Sequence, residues 1–127
     1  DEFARMVLAA VRKHRLEARV VLQSFDFRTL IAMKKLAPEI KLSALYSGPA
    51  KDFVAIGMEA GAGIVSPVAG LVTAEQVNAA HAAGLEVLPW TVNTPQEWER
   101  LVNAGVDGII SDDPAALIAW LKAKGKR

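Results

Sequence analysis

The chain contains no cysteine in its 127 residues. Disulfides, thiol nucleophiles and cysteine-based metal sites are therefore excluded. Histidine is nearly as scarce, with only His14 and His81. Charge of one sign is lacking too, since the formal net charge is +1, so neither a polyanion-binding patch nor an acidic tail is indicated. The one basic cluster, at residues 122–127, is short; it reads as the solvated end of the last helix rather than a nucleic-acid contact. No apolar run approaches the ~20 residues of a membrane span, and no signal peptide is visible. The expectation is a soluble protein, with the cytoplasm favoured. No strand is followed by Gly-x-Gly-x-x-Gly or by a Gly-x-x-x-x-Gly-Lys phosphate loop. Because the chain opens on Asp1 inside an apparent helix, it reads as a piece of something longer.

What is present is an apolar, regularly punctuated sequence, 52% hydrophobic and long enough for one domain with a core. Phe3, Met6, Val7, Ala10 and Val11 recur at helical spacing over residues 1–16. Strands are expected at 19–25, 41–46, 64–67, 85–92 and 105–110. Helices are expected between them, with Asp26, Thr73 and Thr94 as caps, Pro95 at a first helical position and Gly84 just past a helix end. Thr73 with Gln76, and Thr94 with Glu97, have the spacing of capping boxes. The strands begin near residues 20, 42, 64, 85 and 106, one strand–helix unit every 21 or 22 residues.

Alternation of this kind implies a parallel sheet with right-handed crossovers. A doubly wound open sheet and part of a (β/α)₈ barrel compete. The alternate-residue series Val21-Gln23-Phe25, Glu86-Leu88-Trp90 and Asp107-Ile109-Ser111 each carry a polar group, which suits a barrel interior better than a face buried under helices. The expected fold is α/β: five consecutive βα units of an incomplete (β/α)₈ barrel, preceded by one helix, with residues 1–127 as a single domain fragment.

Four stretches in order carry a resemblance: Val20-Val-Leu-Gln-Ser-Phe-Asp26; Leu71-Val-Thr through Ala79-Ala-His-Ala-Ala-Gly-Leu85; Leu88-Pro-Trp-Thr-Val-Asn93; and Gly105-Val-Asp-Gly-Ile-Ile-Ser-Asp-Asp-Pro114. Together they resemble the carboxyl-terminal part of the glycerophosphodiester phosphodiesterase family. The resemblance implies a barrel that hydrolyses glycerophosphodiesters to glycerol 3-phosphate and an alcohol with a divalent cation, Mg or Ca. It also implies that the catalytic histidines and most metal-binding carboxylates lie on the first three strands. The Ala-His-Arg-Gly first strand and the Glu-x-Asp second strand expected there are absent from this chain, so no catalytic residue and no metal ligand is assigned to it. What remains resembles the glycerol side of the site: Phe25 and Trp90, with Gln23, Ser24 and Asn93 nearby. An aromatic wall covers the apolar face of a glycerol unit while polar groups orient its hydroxyls.

Other candidates read as structural. Asp113 suits the cap of the last helix, with Pro114 at its first position, and Asp112 could hold the loop. His14 and His81 read as surface residues without a placed carboxylate partner, and Ser24 and Ser66 lack a base at a recognisable spacing. A phosphosugar barrel of another family would want a glycine-rich phosphate loop after one of the last strands, and none is present. Five units of a barrel leave two sheet edges and an interior face uncovered. A partner carrying the amino-terminal barrel part, or self-association, is therefore expected, the alternative being a non-catalytic α/β domain or assembly module. No nucleic-acid or membrane partner is expected.

Overall fold

The computed structural model describes all residues, 1–127. Six helices and four strands alternate along the chain: α1 (Glu2–Lys13), β1 (Val21–Ser24), α2 (Phe27–Leu36), β2 (Lys41–Tyr46), α3 (Phe53–Ala60), β3 (Ile64–Pro67), α4 (Ala74–Ala82), β4 (Glu86–Val87), α5 (Pro95–Ala104) and α6 (Pro114–Ala123). A short 3₁₀ turn, Ala69–Leu71, precedes α4. The strands are all parallel and lie in the order β1-β2-β3-β4. A doubly wound sheet reverses its strand order partway, which sends helices to both faces. Here the order never reverses, so right-handed crossovers place every helix on the same side. The sheet is a curved wall of the barrel kind.

The side-chain parity of the strands separates the two faces. Leu42, Ala44, Val65 and Val87 point into the helix layer and join Leu30, Met33, Phe53, Ile56, Val77 and Leu101 in one buried cluster. The opposite parity carries Gln23, Ser43, Ile64 and Ser66, in register across neighbouring strands. Ile64 is buried yet lies outside that cluster. On this second face the Ser43 and Ser66 hydroxyls bond to each other at 2.6 Å, so both buried polar groups are satisfied.

Helix ends follow local chemistry. Asp1, Asp26, Asp52, Thr73, Thr94 and Asp113 all accept a backbone N–H in the first turn of their helices. The two expected capping boxes form only by half. Thr73 and Thr94 accept from Gln76 and Glu97 N–H groups, but the Gln76 side chain accepts from Phe53 N–H at 3.1 Å and Glu97 pairs with Arg100. Gly84 takes the left-handed φ of 80° expected past α4. Helix α1 stops at Lys13, three residues short of expectation, with Arg15 in the left-handed region at φ 54°.

The fourth and fifth strands depart most from expectation. The fourth, expected over 85–92, narrows to Glu86–Val87, although Leu88 and Trp90 still donate to Val65 and Pro67 carbonyls. Residues 105–110 run beside it without forming a fifth strand. Asp107 N–H donates to Val87 O and Ile110 N–H to Pro89 O, while Val92 N–H returns one bond to Ile110 O. Val87 N–H donates to the Asp107 carboxylate at 2.8 Å, and Pro89 has no N–H to give. A regular ladder alternates backbone donors from both sides, so this pairing is interrupted around Val87 and Pro89.

Candidate substrate-side site at the strand ends

The carboxyl ends of β1, β3 and the β4 tract converge on one aromatic contact. Phe25 follows β1 and Trp90 follows β4, and their rings meet edge to face with centroids 5.6 Å apart. That geometry sets the positive edge of one ring against the negative face of the other. The indole is anchored where its strand ends: Trp90 Nε1 donates to Ser66 O at 2.8 Å, Trp90 N–H donates to Pro67 O, and Trp90 O accepts from Ala69 N–H. Phe25 has no such anchor and is 59% exposed. The pair therefore combines a fixed wall with an open one.

The polar candidates divide by geometry. Gln23 lies on the uncovered face beside Ser43 and is exposed. The Ser24 hydroxyl accepts from Asp26 N–H at 2.9 Å, a tight turn at the entry to α2. Asn93 sits at the hub of a small loop network. Its amide donates to Asp112 at 2.9 Å, and its Oδ1 accepts from Ser111 Oγ and from Asp112 N–H at 3.1 and 2.9 Å. Asn93 thus ties the loop after β4 to the loop after residues 105–110, with both ends of its amide engaged.

The carboxylates at this end are likewise engaged, Asp112 with Asn93 and Asp113 with the first turn of α6. No three His, Asp or Glu groups converge anywhere in the chain. A divalent cation of the hard, oxygen-seeking type needs several converging ligands, so the donor set here does not fit one. His81 does have a carboxylate partner, contrary to expectation: its Nε2 lies 2.8 Å from Asp107 Oδ2. That contact joins the last turn of α4 to residue 107, near the amino end of β4 and away from the aromatic pair. Its 26-residue separation in sequence hid it from spacing rules.

Two charged pairs flank the strand ends. Arg28 grips Asp26 through two side-chain bonds, and Arg100 grips Glu97 in the same way. Both acids are held below their ordinary values, chiefly by these side-chain hydrogen bonds. An acid depressed in the folded state releases its proton more readily there than in the unfolded chain. Its contribution is complete above the unfolded values, about 3.9 for Asp and about 4.3 for Glu, and is lost as pH falls through the lowered folded values. The contribution of these two pairs to the urea midpoint is therefore expected to be constant above about pH 5 and to decline below about pH 4. Both pairs are exposed, so the decline from them is shallow. Replacing Asp26 and Glu97 together by Asn and Gln should flatten it further, and an unchanged acid limb would contradict the assignment.

Comparison with known proteins agrees with the fold. Residues 1–116 match the sequence profile of the glycerophosphoryl diester phosphodiesterase family. A glycerophosphodiester phosphodiesterase of Caldanaerobacter subterraneus is 35% identical over 121 residues, an alignment covering 94% of this chain and 49% of that relative. The crystal structure of a candidate glycerophosphoryl diester phosphodiesterase from Silicibacter pomeroyi superposes with a TM-score of 0.89 at 36% identity, over 98% of this chain and 45% of that one. A glycerophosphodiester phosphodiesterase from Parabacteroides distasonis shares the fold at 22% identity, with a TM-score of 0.84 over 96% of this chain and 51% of that one. The chain thus spans about half the length of the curated relatives it matches. With the singly wound parallel sheet and a profile match over nearly all of its residues, the chain belongs to the glycerophosphoryl diester phosphodiesterase family.

Proposed function

We propose that residues 1–127 form the carboxyl-terminal part of a phosphoric diester hydrolase that cleaves glycerophosphodiesters to glycerol 3-phosphate and an alcohol. In this reading the chain contributes the glycerol side of the site, and the catalytic groups and the divalent cation, Mg or Ca, belong to residues outside it. The observation that carries the reading is the Phe25–Trp90 pair at the carboxyl ends of parallel strands, where barrel enzymes bind their substrates. A phosphodiesterase of Oleispira antarctica with the same fold was solved with the product sn-glycerol-3-phosphate, which is in keeping with this substrate class.

Within that site Trp90 and Phe25 cover the apolar face of the glycerol unit. Gln23 is the freest of the polar candidates to meet a hydroxyl. Ser24 and Asn93 contribute by shaping the loops that hold the aromatic rings, since their side chains already bond to those loops. A wall that binds the ground state and the transition state equally acts on KM and leaves kcat alone. In the barrel completed by its amino-terminal part, Trp90→Ala is therefore expected to raise KM for a glycerophosphodiester by about tenfold, the equivalent of one lost aromatic contact of about 1.4 kcal/mol. The kcat should stay within about threefold. Unchanged kinetics would remove Trp90 from the site.

A second reading has two observations behind it. No group of three or more metal-ligating side chains converges within the chain, and the outer edge of β1 has no strand beside it. These features suit a non-catalytic assembly module as well as an enzyme part. Hydrolysis by the completed barrel decides between the two.

A further inference from the structure

One ion pair at this end of the molecule reaches beyond its own helix. Arg100 of α5 donates from Nε and Nη2 to the two carboxylate oxygens of Glu97, each at 3.0 Å. Its remaining reach goes to the loop between β3 and α4, with Nη1 on Val72 O at 3.0 Å and Nη2 on Ala69 O at 2.9 Å. These two carbonyls bracket the 3₁₀ turn. On the other side of the same residue, Ala69 N–H donates to Trp90 O at 2.8 Å. Ala69 therefore stands directly between the guanidinium and the Trp90 backbone. From there Trp90 returns to β3 through Pro67 O and, by its indole, through Ser66 O.

We propose that Arg100, oriented by Glu97, is the positioning residue for Trp90, clamping the β3–α4 loop to α5 so that the indole stays at the mouth of the strands. Its importance for substrate rests on the reading of Trp90 given above. An ordinary i,i+3 surface pair would stop at the carboxylate and contribute little to stability. Only the planar fork of arginine, with five donors, serves a carboxylate and two separate carbonyls at once. Lysine offers one nitrogen at the end of a flexible stem and reaches fewer of these acceptors. The clamp also accounts for the half-formed capping box, because Glu97 faces Arg100 rather than the start of its helix.

The test is hydrogen exchange by NMR on the ¹⁵N-labelled chain, with the Trp90 Nε1–H signal identified by its loss in Trp90→Phe. Arg100→Met is compared with Arg12→Met, which removes the distant pair between α1 and Glu39, just before β2. Exchange of the Trp90 Nε1–H and of the Ala69 amide is expected to quicken about tenfold in Arg100→Met, as for the loss of one or two net hydrogen bonds. Arg100→Lys should fall between, and the buried Leu30 amide should match the Arg12→Met control. The proposal is overturned if the indole signal and its exchange stay unchanged, or if they change only in step with the Leu30 amide. This readout needs no turnover. Slow indole exchange in Arg100→Met with hydrolysis intact would refute the clamp alone, and fast exchange without hydrolysis by the completed barrel would refute the site reading alone.

Discussion

Purified by itself, the chain is expected to release no glycerol 3-phosphate from any glycerophosphodiester, with or without a divalent cation. Supplying the missing strands on a second polypeptide is expected to restore metal-dependent release. The reason is the proposed division of labour at the strand ends. The aromatic pair is in place, and neither histidine lies beside it. His81 bonds to Asp107 near the opposite end of the strands, His14 lies just past the last turn of α1, and Asp112 and Asp113 are occupied by a loop and a helix cap. A positioned general acid or base is worth about 10² to 10⁴ in rate each. Lacking these groups and any convergent metal ligands, the chain should fall below detection in a coupled assay for glycerol 3-phosphate. Robust metal-dependent release by the chain alone would sink the proposed division. Failure of the completed barrel to hydrolyse any glycerophosphodiester would sink the substrate assignment.

The partner needed for this restoration has a definable shape. Beside β1, Val7, Leu8 and Val11 of α1, residues 20–22 and Met33 line a wholly apolar cleft of about 200 Å³. Val21 is 45% exposed there, and Phe3 and Met6 extend the apolar surface along α1 at 59% and 66%. This is the surface that an added strand and helix would cover. A second copy of the chain fits it poorly as a barrel closure. The chain carries six helices against five extended tracts, because α1 precedes β1 and α6 follows residues 105–110. Setting two copies edge to edge would bring α6 of one and α1 of the other to the same groove. Self-association of the isolated chain is thus expected to be apolar and non-closing, relieved when strands of the amino-terminal part are supplied.

Much of this architecture was legible because it is written locally. The caps at Asp26, Thr73 and Thr94, and Gly84 past α4, are each set by residues within a few positions of one another, and the structure has them all, together with four of the five expected strands. The polar series Val21-Gln23-Phe25 correctly marked a face not covered by helices. What escaped was set across the chain. The interrupted pairing of residues 105–110 depends on where Asp107 and Pro89 fall relative to Val87, which no window over one segment reveals. Gln76 and Glu97 have capping-box spacing, yet the distant Phe53 N–H drew Gln76 away and Arg100, three residues on, drew Glu97. At the candidate site, Phe25 and Trp90 are far apart in sequence and were linked by the family resemblance, which their ring contact now gives a geometry. Arg100 was missed altogether, since an Arg three residues after a Glu on a helix looks like an ordinary surface pair.

The uneven covering of the sheet predicts the largest stability effect. Phe53 begins α3, is fully buried, and packs in the single cluster between the sheet and the helices. Its backbone also anchors the Gln76 side chain of α4. Phe53→Ala is expected to destabilise the chain by about 3–5 kcal/mol, a large part of the roughly 5–15 kcal/mol typical of a whole domain. The variant should show an early urea midpoint or no cooperative transition at all. Phe25→Ala removes a ring of the same size from the uncovered face, where most of its surface already meets water, and should cost about 1 kcal/mol or less in the isolated chain. The contrast matters more than either number. If the second face is a barrel interior awaiting its remaining strands, the cost of Phe25→Ala should rise once those strands are supplied, while the cost of Phe53→Ala stays the same. Equal costs for Phe25→Ala in both settings, measured by urea denaturation, would mean that nothing packs against that face.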